Sequence, residues 1–172
     1  MSSGSISSHW FYYLITYNIM KVAFTKKYEI LSLGKVFHLS LEEIFKKSEK
    51  TLLYFYPKDN TPWCTMEAKD FTCLKKEFDS LWIKIVGVSR DSIDAHSHFI
   101  TSESLDIDLI SDPDLELHKE LWVYGEKNNY GKIIMGVIRS TFLFDADGKI
   151  VKEWRNVKAT GHVEKILKEL KK

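Results

Sequence analysis

Tyr56-Pro-Lys-Asp-Asn-Thr-Pro-Trp-Cys-Thr-Met-Glu67 joins an apolar run to a long amphipathic segment. Upstream, Thr51-Leu-Leu-Tyr-Phe-Tyr56 is continuously apolar and aromatic until Pro57 stops it, which suits a strand covered on both faces. Thr61 followed by Pro62 is a helix start: threonine is a good N-cap, and proline at the first helical position gives up no needed donor. Downstream, Phe71, Leu74, Phe78 and Leu81 recur at steps of three and four, so one face of that helix is apolar. Cys64 therefore occupies the third position of the first turn, where backbone N–H groups lack intrahelical partners and the macrodipole is positive. A thiolate is favoured there. The same N–H groups can bind an oxygen of a substrate approaching the sulfur; such donors are worth about 2.7–4 kcal/mol each in oxyanion holes.

Reading outward from this junction, Ile83-Lys-Ile-Val-Gly-Val-Ser89 is a second buried-strand run, so the long helix lies between two strands. Before it, two short apolar stretches around Gly34, in residues 28–39, form a hairpin pattern, and a short helix is expected over 41–47. After it come a helix over 93–102, a short strand over 108–110 and a helix over 114–121. Ile138-Arg-Ser-Thr-Phe-Leu-Phe144 and Lys149-Ile-Val-Lys-Glu-Trp154 flank the turn signal Asp145-Ala-Asp-Gly148 and read as an antiparallel hairpin. A final helix covers 163–170. A β-α-β core closed by a hairpin and a helix is the thioredoxin plan. The expected fold is thus α/β and thioredoxin-like: a central mixed sheet flanked by helices, with an N-terminal β-hairpin extension.

A lone cysteine near a helix start is most often a small buried hydrophobe. Here the context differs, because Pro57-x-x-x-Thr61-x-x-Cys64 resembles the active-site motif of the peroxiredoxins. The flanking Phe55-Tyr-Pro-Lys-Asp-Asn-Thr-Pro62 and Glu67-Ala68 resemble the bacterioferritin-comigratory, or peroxiredoxin Q, subgroup. Gly87-Val-Ser-Arg-Asp-Ser92, Leu109-Ile-Ser-Asp-Pro113, Tyr130-Gly-Lys132, Arg139-Ser-Thr-Phe-Leu143, Asp147-Gly-Lys-Ile-Val151 and Gly161-His162 match it in order and spacing, from about Tyr28 to the C-terminus.

The resemblance implies a thiol-dependent peroxidase acting on hydrogen peroxide and small organic hydroperoxides. Cys64 would be the peroxidatic cysteine, which attacks a hydroperoxide and becomes a sulfenic acid. Thr61 would orient the peroxide, and Pro57 would shield the sulfur and shape the pocket. Arg139, on the strand entering the hairpin, would stabilise the thiolate and the departing oxygen. Without the family match, it reads as a strand-end arginine snorkelling into solvent. Glu67 would anchor that arginine, although an acidic residue in a first helical turn also complements the macrodipole. No metal or organic cofactor is required. Electrons would return from a thioredoxin-like protein or another small thiol, and the resemblance favours a monomer or a weak dimer.

Two positions depart from the pattern. Many subgroup members carry a second cysteine five residues after the first, where this chain has Lys69. Cys73 lies nine residues on, about 13.5 Å along an intact helix and near its opposite face, whereas a disulfide needs Cα atoms within about 7 Å. Either the helix unwinds locally and Cys73 resolves the sulfenic acid, or Cys73 is passive and an external thiol does so. Trp63 stands where a much smaller residue usually precedes the peroxidatic cysteine. It would narrow access, offer a platform to a partner, or cover the pocket.

Composition bounds the alternatives. The 172 residues, 44% of them hydrophobic, fit one domain with a single sizeable core. With 25 Lys and Arg against 24 Asp and Glu, there is no strong field for steering nucleic acid or an anionic membrane, and neither partner is expected. Two cysteines are too few for a disulfide scaffold or a zinc site, which points to a reducing, cytoplasmic setting. The apolar patch in residues 1–19 lacks a preceding basic residue and a cleavage site, and a membrane span needs roughly 20 apolar residues. We read residues 1–19 as a dispensable extension, such as an upstream start codon would add, and 20–172 as the domain. His96 and His98 would point about 200° apart on a helix, which argues against a metal pair. Trp82, Trp122, Tyr124 and Tyr130 read as core or surface-cover residues, because no basic stripe accompanies them. A thioredoxin-like disulfide exchanger would need Cys-x-x-Cys at this helix start. The remaining alternative is a catalytically silent binding module docking through Trp63; Thr61, Cys64 and Arg139 together argue against it.

Overall fold

The computed structural model describes residues 24–172; the expectations for residues 1–19 and for a domain start at Met20 lie outside them. The first half runs β1 (Lys27–Ser32), β2 (Lys35–Ser40), α1 (Leu41–Phe45), β3 (Lys50–Phe55), α2 (Pro62–Ser80) and β4 (Ile83–Ser89). There follow α3 (Ile93–Glu103), β5 (Asp108–Ser111), α4 (Glu116–Glu120), β6 (Tyr124–Asn129) and β7 (Lys132–Val137). The chain closes with β8 (Ser140–Asp145), β9 (Ile150–Trp154) and α5 (His162–Leu170).

A seven-stranded mixed sheet carries the order β2-β1-β5-β4-β3-β8-β9. Strands β3, β4 and β5 are parallel, and α2 and α3 supply the crossovers that parallel neighbours require. Their partners β8 and β1 run antiparallel, with Tyr54 opposite Thr141 and Ile30 opposite Ile110. Because successive side chains of a strand point to opposite faces, β3 feeds two cores. Leu53 and Phe55 join Phe45, Phe142 and Phe144 under α1 and α4. Leu52 and Tyr54 join Phe71, Phe99 and Val163 under α2, α3 and α5. Each fully buried side chain of this size contributes about 1.5–3 kcal/mol, so β3 is an anchor for the segment that follows it. That segment leaves the carboxyl end of a central parallel strand, where open α/β sheets place their sites.

Every element expected from the sequence is present, with ends shifted by a few residues. Helix α1 begins at a capping box: the Ser40 hydroxyl accepts from the Glu43 N–H at 3.2 Å, and the Glu43 carboxylate accepts from the Ser40 N–H at 2.7 Å. The β6–β7 hairpin was not expected. It forms a separate two-stranded sheet in which all but Val137 are at least partly exposed, so its sequence carries no alternation to read. Its turn, Tyr130-Gly131, has φ of 52° and 84°, the left-handed pair that two-residue hairpins use. Arg139 requires a second correction. It precedes β8 rather than lying within it, because Ile138 donates to the Val123 carbonyl at 2.7 Å and Arg139 accepts from Val157 at 3.0 Å. Those bonds bridge to loops and leave the guanidinium free to turn toward α2.

Candidate active site

The site is built where β3 hands over to α2. Tyr56 extends β3 by one more bond, to the Val88 carbonyl at 3.2 Å, and the half-buried Pro57 then turns the chain. Thr61 is the N-cap residue in extended backbone, as its sequence suggests, but its side chain does not cap. The hydroxyl donates backwards to the Lys58 carbonyl at 2.8 Å and closes the turn instead. The first intrahelical bond runs from Thr65 N–H to the Thr61 carbonyl at 2.8 Å. The N–H groups of Trp63 and Cys64 are consequently left without an acceptor among the described residues, at the positive end of a 19-residue helix.

Cys64 points inward and is only 2% exposed, packed with Tyr54, Tyr56, Ala68 and Phe71. Glu67, one turn further along the same face, is completely buried. Arg139 reaches both: one guanidinium nitrogen, Nη2, donates to Cys64 Sγ at 3.3 Å, and the other, Nη1, donates to Glu67 Oε2. Burial opposes the charge on Arg139, but Glu67 and Cys64 beside it prevail and hold its pKa above the ordinary value. For Glu67 the balance falls the other way, since burial outweighs the pull of Arg139 and pushes the carboxyl up to about 7. Its Oε1 has no partner among the described residues, and neither does the buried hydroxyl of Tyr54. The Tyr54 ring lies across β4 at Gly87, where a Cβ would fall 2.8 Å from Cζ.

Trp63 is 56% exposed. With Arg139, Lys158, Ala159 and Thr160 it lines a cavity of about 280 Å³. Cys73 is not part of this constellation: it is exposed, free, and lies on the far side of an unbroken α2. Thr141 and His162 stand behind the site, with the His162 Nε2 2.8 Å from the Thr141 hydroxyl. Burial, helped by Arg139 and Lys165, pushes the His162 imidazole down to about 4.

Sequence reading passed over Asp59 and weighed His96 only as a metal ligand. The two are in fact bonded to each other at 2.6 Å, while His98 is exposed. The available signal was the i, i+3 spacing of His96 and Phe99, which puts the imidazole on the apolar face of α3. Trp82, Trp122 and Tyr130 prove to be surface residues, 69%, 79% and 99% exposed. Among the described residues no helix is long and apolar enough to cross a membrane.

A thioredoxin-type sheet that presents an arginine-held thiol at a helix start defines a cysteine-based redox enzyme. Residues 26–153 match the AhpC/TSA family. Peroxiredoxin Bcp of Xanthomonas campestris pv. campestris is 47% identical over 120 residues, covering 70% of this chain and 75% of that protein. Peroxiredoxin Bcp of Bacillus subtilis is 44% identical over 125 residues, 73% and 80% of the two chains. A mutant structure of Xanthomonas campestris peroxiredoxin Q superposes with a TM-score of 0.79 at 39% identity, covering 88% of this chain and 93% of that one. The chain belongs to the AhpC/TSA family and is a peroxiredoxin, a thiol-dependent peroxidase.

Proposed function

We propose that Cys64 is the peroxidatic residue and that Arg139, Thr61 and Pro57 complete its site. The thiolate attacks the terminal oxygen of a hydroperoxide, the O–O bond breaks, and the departing alkoxide or hydroxide takes a proton and leaves as alcohol or water. Cys64 is left as a sulfenic acid. The carrying observation is the 3.3 Å contact from Arg139 Nη2 to Cys64 Sγ, with Nη1 of the same guanidinium tied to buried Glu67. This fork sets a cation where negative charge starts on sulfur and ends on oxygen. Pro57 shapes the turn, the Thr61 hydroxyl orients the incoming peroxide, and the unpaired N–H groups of α2 add donors from the other side.

Cys73 is nine residues along an unbroken helix, about 13.5 Å from Cys64 along its axis. We therefore assign resolution to an external thiol, a thioredoxin-like protein or a small thiol. The first thiol displaces water from the sulfenic acid to form a mixed disulfide, and a second releases Cys64. Substrates are hydrogen peroxide and small organic hydroperoxides; alkyl peroxide reduction is named for the similar Xanthomonas campestris bacterioferritin comigratory protein. A cytoplasmic setting, a monomer or weak dimer, and a functional unit within residues 20–172 complete the reading.

The test is to mix reduced protein with one equivalent of hydrogen peroxide and map the product by intact mass and peptide analysis. A sulfenic acid on Cys64 that persists in Cys73→Ser and is absent from Cys64→Ser is expected. A rapid Cys64–Cys73 disulfide would refute external resolution, and no rapid oxidation would refute the role of Cys64.

A further inference from the structure

Two acids and one cation meet in a single buried layer. Cys64 is 2% exposed and Glu67 fully buried, and Arg139 bonds to both, through Nη2 to Sγ at 3.3 Å and through Nη1 to Glu67 Oε2. With both acids ionised the layer would hold a net negative charge, and Glu67 would carry its share with Oε1 unpartnered among the described residues. A buried charge is tolerated only when it is paired and hydrogen-bonded. The other groups around Glu67 supply no second cation. Tyr54 on β3 is kept protonated by burial and by Glu67, and its buried hydroxyl is likewise unpartnered among the described residues. Asp70, three residues along α2, raises the Glu67 carboxyl further, and Glu164 on α5 acts on Asp70 in the same sense. His162 on α5 faces Arg139 and Lys165 and, pushed down to about 4 chiefly by burial, is neutral near pH 7. On the α3 side Asp59 and His96 are bonded to each other at 2.6 Å. Lys158 shares with Arg139 a cavity that Glu67 does not line.

We propose that Cys64 and Glu67 share one proton across Arg139, so that Glu67 holds it while the sulfur is a thiolate and gives it up when the sulfur is oxidised. The inference rests on the peroxidase reading of Cys64. One proton between two acids that compete for the same guanidinium removes the surplus charge. Position decides where it sits in the reactive form. Cys64 lies at the unpaired N–H groups and positive end of α2, whereas Glu67 lies a turn further in, where that field has faded. Since the thiolate is the nucleophile, the reactive form carries its proton on Glu67. Burial, which pushes the Glu67 carboxyl up to about 7, sets this exchange near neutral pH. Attack then changes the balance. The sulfur becomes a neutral sulfenic acid, Arg139 has one acid left to neutralise, and Glu67 ionises. The proton it loses equals the one that the departing alkoxide or hydroxide takes up, so thiolate, carboxylic acid and hydroperoxide become sulfenic acid, carboxylate and alcohol or water. When the second thiol releases Cys64, the proton it brings restores the starting pair. Glu67 acts through Arg139 and is a positioning residue, one that positions charge.

Infrared difference spectra of the reduced full chain at pH 7, before and after one equivalent of hydrogen peroxide, read this proton directly. Oxidation is expected to remove the C=O band of a protonated carboxyl and to raise a carboxylate band, with neither change in Cys64→Ser or Glu67→Gln. Carbon-13 labelling of glutamate side chains should move the lost band in the wild-type chain, which assigns it without a substitution, because Glu67 is the only buried glutamate among the described residues. The second measurement is the rate of Cys64 oxidation by hydrogen peroxide from pH 5 to 9. Glu67→Gln still accepts from Arg139 but no longer competes for its charge, so the ratio of the rate at pH 6 to that at pH 8 is expected to rise about threefold or more over wild type. A carboxyl that merely anchors Arg139 gives a different pattern, with Glu67→Gln slower by one factor at every pH. That pattern, or oxidation of Cys64 with no loss of a carboxyl band, would overturn the shared proton and leave the peroxidase reading intact. If the wild-type chain is not oxidised at Cys64, the peroxidase reading falls and takes the shared proton with it.

Discussion

Arg139 divides one charge between the Cys64 sulfur and the buried Glu67 carboxyl. Replacing it by Met removes both donors and is expected to slow Cys64 oxidation by about 100-fold or more, the effect of losing a donor worth about 2.7–4 kcal/mol. Arg139→Lys keeps the charge but not the fork, and should recover only part of the rate. Stopped-flow measurement against hydrogen peroxide checks both. Trp63→Gly should instead change the preference among peroxides. By widening a cavity of about 280 Å³, it is expected to favour bulky hydroperoxides over hydrogen peroxide, read as a ratio of kcat/KM values. At this scale a helix start and a family motif marked Thr61, Cys64 and Arg139 in the sequence as candidates, and the structure brings Arg139 to Cys64 and sets Thr61 at the N-cap. The direction of the Thr61 hydroxyl was not legible. Threonine at an N-cap has two competing local bonds, and only the geometry of the turn selects the Lys58 carbonyl.

Secondary structure follows its local signals wherever one face is buried. Helix α2 begins at Pro62 and buries Phe71 and Phe78, as their spacing requires, and the continuously buried β8 and the alternating β9, with Gly148 between them, form a hairpin. The β6–β7 hairpin escaped detection because Tyr124-Gly-Glu-Lys-Asn-Asn129 has no buried face to impose a pattern. The β1–β2 turn shows a different conflict. Leu33, 89% exposed, sits at φ 49° ahead of Gly34 at 73°, where Asn-Gly is the favoured pair. A left-handed non-glycine residue is strained by about 1–2 kcal/mol. Leu33→Asn is therefore expected to stabilise the protein by about 0.5–1 kcal/mol, seen as a higher urea midpoint with an unchanged slope.

For the molecule as a whole, two buried groups give stability opposite dependences on pH. The folded state raises Glu67 from 4.5 to about 7, so its contribution is complete below 4.5 and lost as pH rises through about 7. His162 is lowered from 6.5 to about 4, so its contribution is present above 6.5 and lost as pH falls through about 4. Between these limits the two offset each other. Glu67→Gln should leave a protein whose stability rises more steeply from pH 4.5 to 6.5, and His162→Gln one whose stability falls across that interval; urea midpoints at pH 5 and 7 decide it. Neither effect could be read from sequence, because Glu67 and His162 acquire their environments only when α2 and α5 pack on the sheet.

The double core has a practical corollary. Cys64 helps to fill the layer that contains Tyr54, Ala68 and Phe71, so a form in which its sulfur has swung out to hold another thiol leaves an unfilled hollow there. A lost buried group of this size weakens a fold by about 1–2 kcal/mol, and each kcal/mol lowers the melting temperature of a chain this long by about 2–4 °C. A melting curve should accordingly act as a redox gauge, with the mixed disulfide unfolding several degrees below the reduced protein.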